Sequence, residues 1–264
     1  MNKLISENPA LQAAIREIAA TADHLWQKGW AERNGGNISV NITPLIDGAV
    51  VEFPAESAVI QLPVSCPLLA GNLFYVTGSG SRMRDVANDP AIHGCLIRIK
   101  SGGAKCEVMA SAGAVPTSEL PSHLAIHQFL SSRGNGYMAV LHTHPTELVA
   151  LPHCQPFLDS AHLNRTLWSM IPEALLFVPK GAAIVPFELP GSTALANATI
   201  SQLVNHDVVL WEKHGALSVG RSVDECFDTI DVLNKSARIF IDARCAGYVP
   251  EGLSDSQMNQ LRNG

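Results

Sequence analysis

Short apolar runs alternate with helix-spaced segments along the whole chain, and this alternation limits the possible folds more than any single residue does. Leu73–Thr77, Tyr137–Leu141, Ala174–Val178, Ala182–Val185 and Val208–Trp211 have the length and apolar content of buried strands. Leu11, Ile15, Ile18, Ala22 and Leu25 recur at helical spacing and predict a helix from Pro9 to Gly29. Ser222-Val-Asp-Glu225 is a capping box before a helix whose apolar face is Phe227, Ile230, Leu233, Ala237 and Ile241. Further helices are expected from Thr117 to about Leu130, with Ser118 as cap and Pro121 in the first turn, then after Pro145, over Leu163–Met170 and over Ser192–Val204. Cys95–Ile99 and Cys106–Met109 form a hairpin across Ser101–Ala104. Residues 43–68 hold several prolines and no period, so they read as loop with short strand pieces. Hairpins set among strand–helix units predict a mixed sheet in one α/β domain spanning residues 1–264.

Composition removes several classes of function. A net charge of −6 argues against a nucleic-acid partner, whose phosphates need a basic stripe. No apolar run approaches the ~20 residues needed to span a bilayer, so no membrane role is expected. The start, Met1-Asn-Lys-Leu-Ile-Ser, lacks the apolar core of a secretory signal. Six cysteines without C-x-x-C spacing then read as reduced, buried thiols in a cytoplasmic protein. Only 16 % of residues are charged, few for a fold with outer helices, which predicts that subunit contacts cover part of the surface.

Chemistry enters at His142-Thr-His144, directly after the Tyr137–Leu141 strand. Residues two apart on a strand share a face, so both imidazoles can reach one metal ion. Ten histidines in 264 residues give about 0.4 such pairs by chance, so the pair needs context. His214, beside Gly215 at a strand end, is the third ligand candidate; by itself it reads more readily as a hydrogen-bonded turn histidine. Glu119 is the acid candidate, against a plain role in complementing a helix dipole. Three turns, Asn34-Gly-Gly-Asn37, Thr77-Gly-Ser-Gly80 and Thr117-Ser118, each offer backbone N–H or hydroxyl donors to an anion. None has the phosphate-loop lysine or the dinucleotide glycine pattern. His24, His93, His123, His127, His153, His162 and His206 read as structural or solvent-facing, and Trp26 with Trp30 as core or interface.

Taken in order, Gly29-Trp-Ala-Glu-Arg-Asn-Gly-Gly-Asn37, Pro67-Leu-Leu-Ala70, Val76-Thr-Gly-Ser-Gly80, Val115-Pro-Thr-Ser-Glu-Leu-Pro121, His142-Thr-His144, Phe177-Val-Pro179, Leu210-Trp211, His214-Gly215 and Asp224-Glu225 resemble the class II, zinc-dependent aldolase family from about residue 20 to 245. The resemblance implies an αβα sandwich around a mixed, mainly antiparallel sheet. It implies one Zn²⁺ per subunit on His142, His144 and His214, and Glu119 as acid–base group. Asn34, Ser79, Gly80, Thr117 and Ser118 fall where the family cradles a substrate phosphate, with Gly36 and Asn37 beside them. Glu173 matches a second carboxylate brought in from a neighbouring subunit, which implies a homotetramer with sites at subunit interfaces. The implied reaction is reversible cleavage of a phosphorylated ketose. The Asn34–Asn37 turn and Glu173 favour L-rhamnulose 1-phosphate over L-fuculose 1-phosphate or L-ribulose 5-phosphate. Two other readings stand beside this one. Adducin-type heads share the fold without chemistry, which the intact His142, His144, His214 and Glu119 oppose. A cupin-like H-x-H site would need an all-β barrel, which the strong helices oppose.

Overall fold

Asn8 caps the first long helix by accepting from the Leu11 N–H, and Pro9 stands at the first helical position, where no donor is needed. In the computed structural model, which describes residues 2–46, 51–54, 57–111 and 113–263, the helices are α1 (Asn2–Glu7), α2 (Pro9–Gln27), α3 (Met83–Asn88), α4 (Leu120–Arg133), α5 (Thr146–Ala150), α6 (Ser160–Met170), α7 (Pro172–Phe177), α8 (Thr193–Leu203), α9 (Val223–Cys245) and α10 (Asp255–Asn263). The strands are β1 (Asn37–Asn41), β2 (Ala58–Gln61), β3 (Leu73–Thr77), β4 (Gly94–Ile99), β5 (Lys105–Ala110), β6 (Ala139–Thr143), β7 (Ala182–Val185), β8 (Val208–Trp211) and β9 (Gly215–Gly220). They form one sheet in the order β2-β5-β4-β3-β1-β6-β9-β8-β7. Every pairing is antiparallel except the parallel pair β7–β8.

Period-two alternation on these strands splits the core between the two faces of the sheet. Ile38, Tyr75, Leu96, Leu141 and Leu210 pack with the apolar stripes of α2, α6 and α9. Val140, Val209, Trp211 and Leu217 pack on the other face with Ile126 and Leu130 of α4 and Leu195 and Leu203 of α8, and Phe74, Val76, Cys95 and Ile97 meet Leu120 and Leu124 there. Helices therefore cover both faces, the αβα arrangement expected above, and an all-β barrel is excluded. Ser222 caps α9 by accepting from the Glu225 N–H, while the Glu225 carboxylate accepts from the Arg221 N–H.

Three expectations are corrected. Ala174–Val178 is not a strand: Pro172–Phe177 is a short helix, because Pro172 presets the first turn and a five-residue apolar run carries no period of its own. Ser118 does not cap α4; Glu119 occupies that position without a side-chain cap bond. Not all cysteines are buried, since Cys154 and Cys245 are exposed; the six are unpaired. Trp30 is in the core, whereas Trp26 is partly exposed with the Arg84 guanidinium over its ring. The loop expected at 43–68 holds β2 and two short 3₁₀ turns, with residues 47–50 and 55–56 outside the described residues, as is Met1. Among the described residues no helix is long and apolar enough to cross a membrane.

Candidate metal centre and acid–base cleft

Where β1, β6 and β9 run side by side, the ends of three adjacent strands open into a cleft of about 140 Å³. His142 is the fourth residue of β6 and pairs with Asn37 of β1 and Leu217 of β9. His144 lies one residue beyond the strand yet stays beside His142, because its N–H and the Thr143 hydroxyl both donate to the Trp30 carbonyl. His214 reaches the cleft from the β8–β9 turn, in which Lys213 adopts a positive φ of 60° that non-glycine residues seldom take. Gly215 follows, and a Cβ there would stand 2.6 Å from His142 Cε1 and 2.8 Å from His144 Cδ2. Only glycine leaves the two rings where they are.

The three rings meet the chemical requirements of a cation site. One ligand nitrogen from each lies within 4.8 Å of the others. The His142 Nδ1 donates to the Ala216 carbonyl, which leaves the Nε2 lone pair facing the cleft. His144 Nδ1 is held at 2.6 Å by Glu32 Oε1, the carboxylate–histidine arrangement that orients metal-binding rings. The two Nε2 atoms are 3.2 Å apart. Nitrogens ~2.0–2.1 Å from a tetrahedral ion lie roughly 3.3–3.4 Å apart, so this spacing suits one shared ion. His214 Nδ1 is buried without a hydrogen-bond partner, an uncompensated polar edge within the same cluster. Burial holds the His142 ring far below its usual range and His214 down to about 4, so both are neutral at neutral pH, the form that binds a metal.

Glu119 stands in the same cleft, at the cap position just before α4. Burial raises its carboxyl above the usual range, opposed by a hydrogen bond from Asn37 Nδ2 (3.1 Å) and by nearby His144. A carboxyl raised in this way holds a proton more readily than an ordinary carboxylate, which suits a group that must both give and take one.

The remaining wall is the set of turns noted in the sequence. Asn34, Gly36, Asn37, Ser79, Gly80, Thr117 and Ser118 all line the cleft. The Ser79 N–H donates to the Val115 carbonyl and the Thr117 N–H to the Thr77 carbonyl, which brings the second and third turns together. Gly36 takes φ 78° with its α-carbon against the His142 carbonyl, where a Cβ would come within 2.9 Å. Among the described residues no lysine or arginine lines the cleft, so an anion there would be held by neutral donors. Glu173 does not join this group; it is exposed on the first turn of α7 and is absent from the cleft wall.

Glu32 is the site residue that sequence reading misses. It lies 112 positions from His144, and no local pattern links the two. His123 and His127 also have partners: both are buried on α4 and bonded to residues of β1. Their four-residue helical spacing is the available signal for that.

Comparison with known proteins agrees with this geometry. The sequence profile of the family described as Class II Aldolase and Adducin N-terminal domain matches residues 16–241. The chain is 46 % identical to rhamnulose-1-phosphate aldolase of Bacteroides thetaiotaomicron, covering 99 % of this chain and 97 % of that protein. It is 36 % identical to rhamnulose-1-phosphate aldolase of Escherichia coli O139:H28, over 92 % of this chain and 90 % of that one. Among solved structures it is similar to a sugar-phosphate aldolase from Thermotoga maritima, with a TM-score of 0.76, 33 % identity, and coverage of 92 % of this chain and 99 % of that one.

Proposed function

The chain belongs to the class II aldolase and adducin N-terminal domain family, and from that premise we propose that it is a lyase cleaving L-rhamnulose 1-phosphate reversibly to dihydroxyacetone phosphate and L-lactaldehyde. The observation that carries this reading is the convergence of His142, His144, His214 and Glu119 on one cleft whose other wall is made of anion-ready turns. A scaffold of the same fold has no use for three imidazoles clustered at one point. Sequence identity of 46 % across nearly the full length to a rhamnulose-1-phosphate aldolase supports this substrate over L-fuculose 1-phosphate and L-ribulose 5-phosphate. An L-fuculose 1-phosphate aldolase shares the fold at a TM-score of 0.62 with only 19 % identity.

The three histidines would hold one Zn²⁺ per subunit, and a bound divalent cation supplies Lewis-acid polarisation of the substrate ketone. The protein's own groups do the rest. Asn34, Ser79, Gly80, Thr117 and Ser118 bind the phosphate and so place the sugar with its ketone toward the histidines. When the C3–C4 bond breaks, its electrons pass toward the ketone and carbon 3 must gain a proton. Glu119, partly shielded from water, holds and delivers that proton and takes it back in the synthetic direction. A second group must remove the proton of the C4 hydroxyl, and Glu173 of a neighbouring subunit is assigned this role. Its helix also presents Leu176 and Phe177 to solvent, the kind of apolar surface a partner covers, which supports a homotetramer. The chain works as one catalytic domain in the cytoplasm.

The deciding measurement is dihydroxyacetone phosphate release from L-rhamnulose 1-phosphate and from L-fuculose 1-phosphate with zinc present. A higher kcat/KM for the rhamnulose sugar is expected, and equal or reversed values would refute the substrate assignment. Sedimentation should give a tetramer; a fully active monomer near 28.2 kDa would remove Glu173 from the mechanism.

A further inference from the structure

From Glu119 and Asn37, which both line the cleft, a chain of hydrogen bonds runs into the protein interior. Asn37 Nδ2 donates to Glu119 Oε2, and Asn37 Oδ1 lies against His123 Nε2. His123 Nδ1 meets Ser39 Oγ at 2.7 Å, and Ser39 Oγ meets His127 Nε2 at 2.8 Å. Asn37, Ser39, His123 and His127 are all buried. Local geometry explains the alignment. Asn37 and Ser39 are two apart on β1 and share its face, while Glu119, His123 and His127 succeed one another every four residues along α4.

The direction of the chain follows from what each group can do. An ionised Glu119 only accepts, so Asn37 must turn its amide NH₂ toward it and its carbonyl toward His123. That carbonyl also only accepts, so His123 carries its proton on Nε2. Burial holds His123 down to about 4 and His127 down to about 3, so each neutral ring has a single N–H. His123 Nδ1 therefore accepts the Ser39 hydroxyl proton, and the Ser39 oxygen accepts from His127 Nε2. No amide flip, hydroxyl rotation or tautomer change is possible without breaking a buried bond. A core that needed only stability would fill this space with apolar side chains, as Phe74 does against the His127 ring.

We propose that His127, Ser39 and His123 are positioning residues which, through Asn37, hold the Glu119 carboxylate in one orientation for proton transfer in the cleft. This rests on the reading of Glu119 as the acid–base group.

The test uses the zinc-loaded, full-length enzyme with ¹⁵N-labelled histidine and the variants Ser39→Ala, His127→Leu, His127→Gln and Glu119→Gln. Long-range ¹H–¹⁵N spectra of the intact protein should show His123 and His127 both as Nε2–H tautomers, and a His123 Nδ1–H tautomer overturns the proposal. Ser39→Ala and His127→Leu should each lower kcat about tenfold with KM nearly unchanged, as expected for loss of one buried hydrogen bond acting on the chemical step. The double variant should be little worse than either single one, because both break the same chain. His127→Gln, which keeps a donor, should recover most of the rate. Zinc content and melting temperature are recorded for each variant. Folded, zinc-loaded Ser39→Ala and His127→Leu with wild-type kcat refute the chain, and if His127→Leu does not fold, Ser39→Ala and the tautomer spectrum decide. Wild-type exchange of the dihydroxyacetone phosphate C3 proton in Glu119→Gln refutes the premise instead, so the two failures are distinguishable.

Discussion

Adding one methyl group at Gly215 tests whether the histidine cluster is held by backbone geometry. Gly215 does not sit at a positive φ, so alanine is acceptable to the backbone and the effect is purely steric. The new Cβ would meet His142 Cε1 at 2.6 Å, the Thr143 carbonyl oxygen at 2.7 Å and His144 Cδ2 at 2.8 Å. Two of these neighbours belong to rings tied down by Ala216 and Glu32, and the third is β6 backbone. Overpacking of this kind costs ~1–3 kcal/mol. The reduced freedom of the unfolded alanine chain returns ~0.4–1 kcal/mol. A net loss of about 1–2 kcal/mol remains, which for a chain of this size lowers the melting temperature by roughly 2–8 °C. Metal affinity should fall further, because His142 and His144 must separate to admit the methyl group, and disturbed ligand orientation costs about 10–100-fold. Differential scanning calorimetry of the metal-free protein gives the first quantity, and competition with a chromogenic chelator gives the second. A Gly215→Ala protein with wild-type melting temperature and wild-type affinity would refute the claim that Gly215 sets the ring positions.

Glu32→Gln keeps the size of the side chain that holds His144 Nδ1 but removes its charge, so metal affinity should drop about tenfold or more; unchanged chelator competition would remove Glu32 from the site. Glu119→Gln should lower solvent exchange of the dihydroxyacetone phosphate C3 proton by at least ~10²-fold while the metal stays bound, measured by NMR in deuterated buffer together with metal content. Acid should destabilise the fold through His123 and His127, whose folded-state values of about 4 and about 3 lie below the ordinary 6.5. The unfolded chain binds the extra protons, so stability falls as pH drops below about 6.5, by roughly 2 kcal/mol per ring between pH 7 and pH 5. Guanidinium unfolding at the two pH values checks this, and a His127→Gln protein should lose correspondingly less.

Strongly periodic segments were legible in the sequence and aperiodic ones were not. The stripes of α2 and α9 and the cap Ser222 carry their own local instructions, as do the short apolar runs of β3, β6 and β8. Ala174–Val178 has the composition of a strand, and its helical state is decided by Pro172 and by burial of Ala174 and Leu175 with Leu176 and Phe177 left outside. The six residues of α3 are too few to show a period, and α10 buries only Met258, so neither announces itself. In the site, His142 and His144 could be singled out in advance by their strand spacing, and His214, Glu119 and the three turns became candidates through the resemblance to the class II aldolase family. Glu32, and the partners of His123 and His127, could not, because those contacts join residues 82 or more positions apart in chain order.

The pairing of Asn37 with His142 also sets the order of events while the protein is being made. β1 can pair with β3 early, but it cannot meet β6 until about a hundred further residues have been added, and His214 follows some seventy residues later still. At ~5–20 residues per second of synthesis, a nascent chain carries the His142–His144 pair for several seconds before a third ligand exists. Long-range pairings of this kind form late, since loop closure must precede any gain from contact. The three-histidine cluster therefore cannot form before residue 214 has been added, and a chain interrupted before His214 would keep only His142 and His144 of the three candidate ligands.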